Sequence, residues 1–130
     1  MKFYIATRFS NELLKNKAIA IKNELEKLGH NMTFNWMSYP SLKPYDQNLV
    51  EASKIAKLDL EGVIDADFLI LLPDSNGTGL YVEFGIAIAQ CLMTKSPKIY
   101  LLSDSREMLL FNYHPAVIWK KTLEEIISDL

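Results

Sequence analysis

The sequence predicts a three-layer α/β domain, with one parallel five-stranded sheet covered by helices on both faces. Three observations predict it. Short apolar runs alternate with longer segments of helical period. The run Phe68 to Leu72 is nearly all apolar, as suits a central parallel strand buried on both faces. Directly after it, a turn carrying Asn76-Gly77-Thr78-Gly79 leads into an apolar helical segment, the strand–turn–helix step from which such folds are built.

In chain order, Phe3 to Ala6 is expected as the first strand. Ser10 or Asn11 can cap the first helix, whose stripe of Leu14, Ala18, Ile21, Leu25 and Leu28 follows helical spacing. Gly29 suits its C-terminal stop. Met32 to Trp36 is the expected second strand. A polar and aromatic loop follows from Met37 to Asp46, with Pro40 and Pro44. At about ten residues it is longer than most connections in this class, which hints at function. The second helix is expected over Gln47 to Asp65, the third strand over Phe68 to Leu72, and the third helix over Gly79 to Met93. Lys98 to Leu102 and Ala116 to Trp119 supply the last two strands, and Thr122 with Glu125 forms a capping box that opens the final helix.

This order fits a Rossmann-like, flavodoxin-like sheet with strand order 2-1-3-4-5. Ligands in such sheets bind beyond the carboxyl ends of the strands, at the switch point beside strand one. Three loops should converge there: Thr7-Arg8-Phe9-Ser10, Asp74 to Thr78, and Ser103-Asp104-Ser105.

Composition narrows the functional classes. The 130 residues, 49% hydrophobic, suffice for one domain over 1–130 with a core that needs no staples. A net charge of -2 gives no basic field for polymeric nucleic acid or an anionic membrane. No apolar run is long enough to span a bilayer, and the opening MKFYIATRF is too short and polar for a signal peptide. The single cysteine, Cys91, cannot form an internal disulfide, so a cytoplasmic setting is expected. One Cys and two His (His30, His114) have no metal-ligand spacing, and neither a metal nor a cofactor is expected.

Glu83 is the leading candidate for chemistry. It is the one carboxylate in an apolar helix that begins just past a glycine turn. Burying such a charge is costly without a purpose, and the helix dipole at that position favours the ionised form. Gly77, Gly79 and Gly85 remove side chains around it and allow a ligand to approach. The alternative is a surface glutamate that compensates the dipole, but Tyr81, Val82, Phe84, Ile86 and Ile88 leave it little exposed face. Asp59 shares a helix face with Ala52, Ile55 and Val63 and interrupts that apolar stripe. It is either a second functional acid or a boundary residue of a solvated cluster with Glu61 and Asp65.

Other residues are open to two readings. Thr7 and Arg8 after strand one suit a phosphate or a polar sugar, although Arg8 alone reads more simply as a surface arginine. Asp74 can bind ribose hydroxyls or brace the turn with Ser75 and Asn76. Asn112-Tyr113-His114-Pro115 is competent to bind, although a structural His114 is the simpler reading. Trp36, Tyr39 and Tyr45 can stack on a base or pack the long loop down. Cys91 reads as core. The turn at residues 76–79 is neither a Walker loop nor a full GxGxxG pattern.

At Gly79-Leu80-Tyr81-Val82-Glu83-Phe84-Gly85-Ile86-Ala87 the pattern GxxxExGxA resembles the nucleoside 2-deoxyribosyltransferase family and its relatives, the N-glycosidases of deoxynucleoside 5'-monophosphates. The opening Phe-Tyr-Ile-Ala-Thr-Arg-Phe, the segment Leu58-Asp59-Leu60-Glu61-Gly62-Val63 and the run Ala66-Asp67-Phe68-Leu69-Ile70 are similar to the family's first strand, second-helix acid and third strand. The resemblance implies that Glu83 is a nucleophile at the anomeric carbon, that Asp59 serves near the base or in proton transfer, and that Tyr4 orients the nucleophile. It implies substrate contacts from Thr7, Arg8, Phe9, Asp74, Asn76, Gly77, Gly79, Asn112 and His114. It also implies a small-molecule nucleoside or nucleotide substrate and a homodimer or larger homo-oligomer, with helices two and three as interface elements. One departure stands out. Six residues before the glutamate, transferases tend to carry an acid and monophosphate hydrolases a serine, whereas here the residue is Gly77. That leaves nucleoside and 5'-monophosphate both open, with Arg8 tilting towards phosphate. It also motivates a second reading, a nucleotide-binding sensor without turnover. A receiver domain is disfavoured, because Thr7-Arg8 replaces the acidic cluster it needs.

Overall fold

The computed structural model describes residues 1–106 and 109–130. Its strands are β1 (Lys2–Ala6), β2 (Asn31–Met32), β3 (Phe68–Leu71), β4 (Lys98–Leu102) and β5 (Val117–Lys120). Its helices are α1 (Glu12–Lys27), α2 (Leu49–Asp65), α3 (Gly79–Thr94) and α4 (Leu123–Asp129). The strands form one parallel sheet in the order β2-β1-β3-β4-β5, as the sequence predicts. Tyr4 in β1 stands opposite Leu69 in β3. The three central strands are almost wholly buried and carry most of the largest core side chains, including Phe3, Tyr4, Phe68 and Tyr100. No helix among the described residues is long and apolar enough to cross a membrane.

Local chemistry sets the helix ends. Asn11 rather than Ser10 caps α1, its side chain accepting from the Leu14 amide at 3.1 Å. Gly29, at φ +90°, takes the left-handed conformation that ends the helix, and the His30 amide bonds back to the Leu25 carbonyl at 3.1 Å. Thr122 caps α4 at the Glu125 amide, while Glu125 reaches back to the Lys121 amide.

Four expectations are corrected. The second strand is only Asn31–Met32, not Met32 to Trp36. The Thr33 amide still bonds to the Phe3 carbonyl of β1 at 2.9 Å while its hydroxyl donates to the Gly62 carbonyl at 2.8 Å, and past it Trp36 is buried with its indole N–H on the Ile5 carbonyl at 2.8 Å. Those side-chain anchors replace further strand pairing. The second helix starts at Leu49 rather than Gln47, because Tyr45–Gln47 form a separate 3-10 turn. Asn48 ties that turn to the carbonyls of Leu42 and Pro44. Leu28 does not join the buried stripe and is 51% exposed, since the helix has already begun to unwind at its cap. The fifth strand lies one residue later than expected, at Val117–Lys120.

Candidate active site

Three elements bring three acidic protons' worth of chemistry together: Tyr4 from β1, Asp59 from α2 and Glu83 from α3. Tyr4 is completely buried. Its ring lies against Gly62, where an added Cβ would come within 3.2 Å of the ring and 3.0 Å of the Phe34 Cβ. The glycine inside α2 therefore lets the helix sit close over the tyrosine. One turn earlier on the same helix, the partly buried Asp59 accepts the Tyr4 hydroxyl at 3.0 Å through Oδ1. Glu83 lies close enough for its charge to bear on Tyr4 and Asp59. Its Oε2 is buried and has no hydrogen-bond partner.

Electrostatics follow from this packing. Burial first, then the neighbouring Asp59 charge, push the Glu83 carboxyl well above its ordinary range, and the Tyr4 hydrogen bond opposes them only in part. Burial likewise raises Asp59, again against the pull of Tyr4. Tyr4 itself is held well above the usual phenol range by burial and by the two carboxylates. The helix dipole was expected to keep Glu83 ionised. Desolvation and a like charge work against it.

At the carboxyl ends of β1 and β3, two of the three expected loops meet. Asp74 is the hinge between them. It accepts from the Asn11 side chain at 2.9 Å and from the Asn76 amide at 2.9 Å, and it lies 3.6 Å from the Arg8 guanidinium. Those contacts, led by Asn11, hold its carboxyl below the ordinary range. Thr7 is buried and donates to the Leu72 carbonyl at 3.0 Å. Phe9 is half-buried against Trp36, with the Lys15 ammonium over its ring, 4.8 Å from the centroid. The third loop is tied elsewhere, the Ser103 carbonyl accepting from the Trp119 indole at 2.8 Å.

Gly77 and Gly79 differ in the room around them. A Cβ on Gly79 would meet nothing, whereas a Cβ on Gly77 would collide with a methyl of Leu80, a buried core residue. Asn76 is exposed at the turn. Asn112 is fully buried and exchanges hydrogen bonds with Arg106, donating through Nδ2 to the Arg106 carbonyl. The His114 ring accepts from the Ala116 amide at 3.0 Å, so one ring nitrogen is committed to the loop. His114 also lines an apolar cavity of about 400 Å³ with Tyr81, Phe84, Gly85, Ile88, Leu109 and Phe111. That cavity takes the α3 face next to Glu83 without including Glu83 itself. Among the long-loop aromatics, Trp36 packs down, Tyr39 tilts against Phe34, and Tyr45 remains 56% exposed. Cys91 is half-buried against the core.

Gly62, Asn11 as the partner of Asp74, and Thr33 have site-shaping roles that sequence reasoning missed. An unexplained glycine in a helix interior was the available signal for Gly62. Among the described residues, no group of three or more His, Cys, Asp or Glu side chains is placed to hold a metal ion.

The arrangement defines a class of molecule: a doubly wound parallel α/β domain with a buried tyrosine hydrogen-bonded to an acid on one helix and a second acid near it on the next. Among solved structures, the chain is similar to the CMP N-glycosidase BcmB of Clostridium botulinum. The TM-score is 0.63 at 20% identity, covering 99% of this chain and 96% of that one, so the two share a fold. No family model and no curated protein matches the sequence.

Proposed function

We propose that this chain is an enzyme that cleaves the N-glycosidic bond of nucleosides, deoxynucleosides or their 5'-monophosphates. The observation that carries the reading is Asp59 bonded to the buried Tyr4 hydroxyl with the Glu83 carboxyl close enough to feel both. A fold shared with a CMP N-glycosidase supports it.

Glu83, once ionised, attacks the anomeric carbon as the bond to the base breaks. The glycosyl–Glu83 ester holds the sugar covalently. Positive charge that develops on the sugar is offset by the adjacent carboxylate. The departing base takes a proton from Asp59, which is general acid work. Water or a second base then displaces Glu83, giving hydrolysis or 2-deoxyribosyl transfer with net retention. Arg8, two residues past β1, would pair with a 5'-phosphate in exchange for its contact with Asp74.

Incubation with a panel of nucleosides and 5'-monophosphates, with and without an added free base, tests this. Base release that disappears in Glu83→Ala is expected. Failure to turn over any member of the panel would overturn it.

A binding module without turnover is the second reading. Leu80 favours it, because its methyl closes the space where a polar side chain at residue 77 would stand. Tight nucleotide binding unchanged by Glu83→Gln, with no base release, would select it. Under either reading we place the protein in the cytoplasm as a homodimer or larger homo-oligomer. Exposed Ile64 on α2 and Val82, Leu92 and Met93 on α3 supply apolar surface for that contact.

A further inference from the structure

Of the chain's asparagines, Asn76 alone is followed by a glycine. It is exposed on the turn between β3 and α3, and its side-chain amide is not held by any hydrogen bond to the described residues. An asparagine side chain can close a cyclic imide onto the next peptide nitrogen, and glycine shields that nitrogen least. The other asparagines are worse placed. Asn16 and Asn23 lie inside α1, Asn112 is fully buried, and Asn31, Asn35 and Asn48 precede bulky residues. Packing fixes the glycine itself, because a Cβ at residue 77 would collide with a Leu80 methyl. The contact that seats α3 therefore also leaves the Gly77 nitrogen unshielded.

A brake acts in the folded chain. The Gly77 amide donates to the Asp74 carbonyl at 3.0 Å, and the Asn76 amide donates to Asp74 Oδ1 at 2.9 Å. The Asn11 side chain holds Asp74 Oδ2 at 2.9 Å. The attacking nitrogen is freed only when this turn opens.

We propose that Asn76–Gly77 is a site of spontaneous deamidation, governed by opening of the Asp74 turn, which places a new carboxylate at the carboxyl end of the sheet. The Gly77 nitrogen gives up its proton and bonds to Asn76 Cγ. The bond from Cγ to Nδ2 breaks, and the amide nitrogen leaves with that proton as ammonia. The imide has no N–H for the Asp74 carbonyl, so that bond of the turn cannot re-form. Water then opens the ring. Cleavage at Cγ gives aspartate, and cleavage at the main-chain carbonyl gives isoaspartate, with the chain routed through Cβ and Cγ. Either product adds a negative charge to the turn whose Asp74 already lies 3.6 Å from Arg8. Isoaspartate also lengthens the backbone just before α3. The inference goes beyond the glycosidase reading and does not depend on it.

The test is read by mass. The folded chain is incubated in mildly alkaline buffer and sampled over time by peptide mapping. The peptide that carries residue 76 should gain the mass difference between an amide and an acid before any other asparagine does. It should also become methylatable by an L-isoaspartyl methyltransferase. Asn76→Gln, which would have to close a larger ring, should abolish both signals. An Asn76 that stays intact through prolonged incubation, or that outlasts another asparagine, overturns the proposal. The brake has its own variant. Asn11→Ser keeps a capping oxygen for α1 but removes the amide that holds Asp74. Losing one hydrogen bond to an ionised carboxylate should open the turn more often and speed deamidation about tenfold. Far-UV circular dichroism checks that α1 is kept, with Asn11→Thr as the substitute cap if it is not. A capped variant that deamidates no faster than wild type would overturn the role given to the Asp74 turn.

Discussion

Leu80 occupies the space that any side chain at residue 77 would need. A Cβ built on Gly77 collides with a Leu80 methyl, and Leu80 is 2% exposed within the core. Glycine at residue 77 is thus tied to the packing of the first turn of α3, and a side chain there needs the Leu80 methyl to move.

Gly77→Ser should therefore destabilise the protein by about 1–3 kcal/mol through overpacking. Leu80→Ala made in the same chain opens the space, so the double variant should lose less than the two single losses added together. Urea unfolding of the four proteins measures this coupling directly. Strict additivity would show that the turn relaxes without the leucine.

Gly62→Ala probes the approach of α2 to β1. The new methyl would meet the Phe34 Cβ at 3.0 Å and the Tyr4 ring at 3.2 Å. A stability loss of about 1–3 kcal/mol is expected. Base release should fall more than Kd for ligand rises, because the tyrosine hydroxyl is moved while the loops that hold substrate are not. Equilibrium binding beside turnover distinguishes the two.

Asp74→Asn keeps the shape of the turn and inverts one contact. The Asn11 amide nitrogen now donates to Asp74 Oδ2, while the Asn11 oxygen caps α1 at the Leu14 amide. Asn11 cannot flip without losing the cap, so an amide nitrogen at residue 74 would face another donor, or an amide oxygen there would abandon the Asn76 amide. A loss of about 1–2 kcal/mol is expected. It should shrink towards low pH: Asp74 has a lowered pKa in the folded protein, so its stabilisation is present above the ordinary aspartate range and disappears as pH falls through the folded value.

Glu83 has the opposite sign. Its pKa is raised on folding, so the native state holds a proton that the unfolded chain releases. The native state is favoured below the ordinary glutamate value near 4.5, and that advantage is lost as pH rises from there through the folded value. Glu83→Gln should flatten this part of the stability curve and make the protein more stable than wild type at neutral pH. Thermal unfolding across that range checks it, and a variant that is less stable at pH 7 would contradict the assignment.

Much of the fold was legible because the pattern is strong. The apolar runs of β1, β3 and β4 and the helical stripe of α1 come from burial on a parallel sheet, and their periods survive in the sequence. The second strand was overextended because the chain beyond Thr33 is anchored by side-chain bonds from Thr33 and Trp36 to distant carbonyls, which no local pattern records. At the site, Glu83 and Asp59 stood out as charges within apolar surroundings. The bond from Tyr4 to Asp59 joins residues 55 positions apart and became visible only in three dimensions. The dipole argument for Glu83 left out desolvation, which depends on what the rest of the chain packs around a group.

The pairing of Arg8 with Asp74 has a consequence for any anion that seeks this end of the sheet. The guanidinium is already engaged at 3.6 Å by a carboxylate that two other donors hold in place. An incoming phosphate enters by exchange, trading one acidic companion for another, so its net attraction is the difference between two pairings. Weakening the resident companion would thus sharpen the appetite of Arg8 for phosphate even as it loosens the turn.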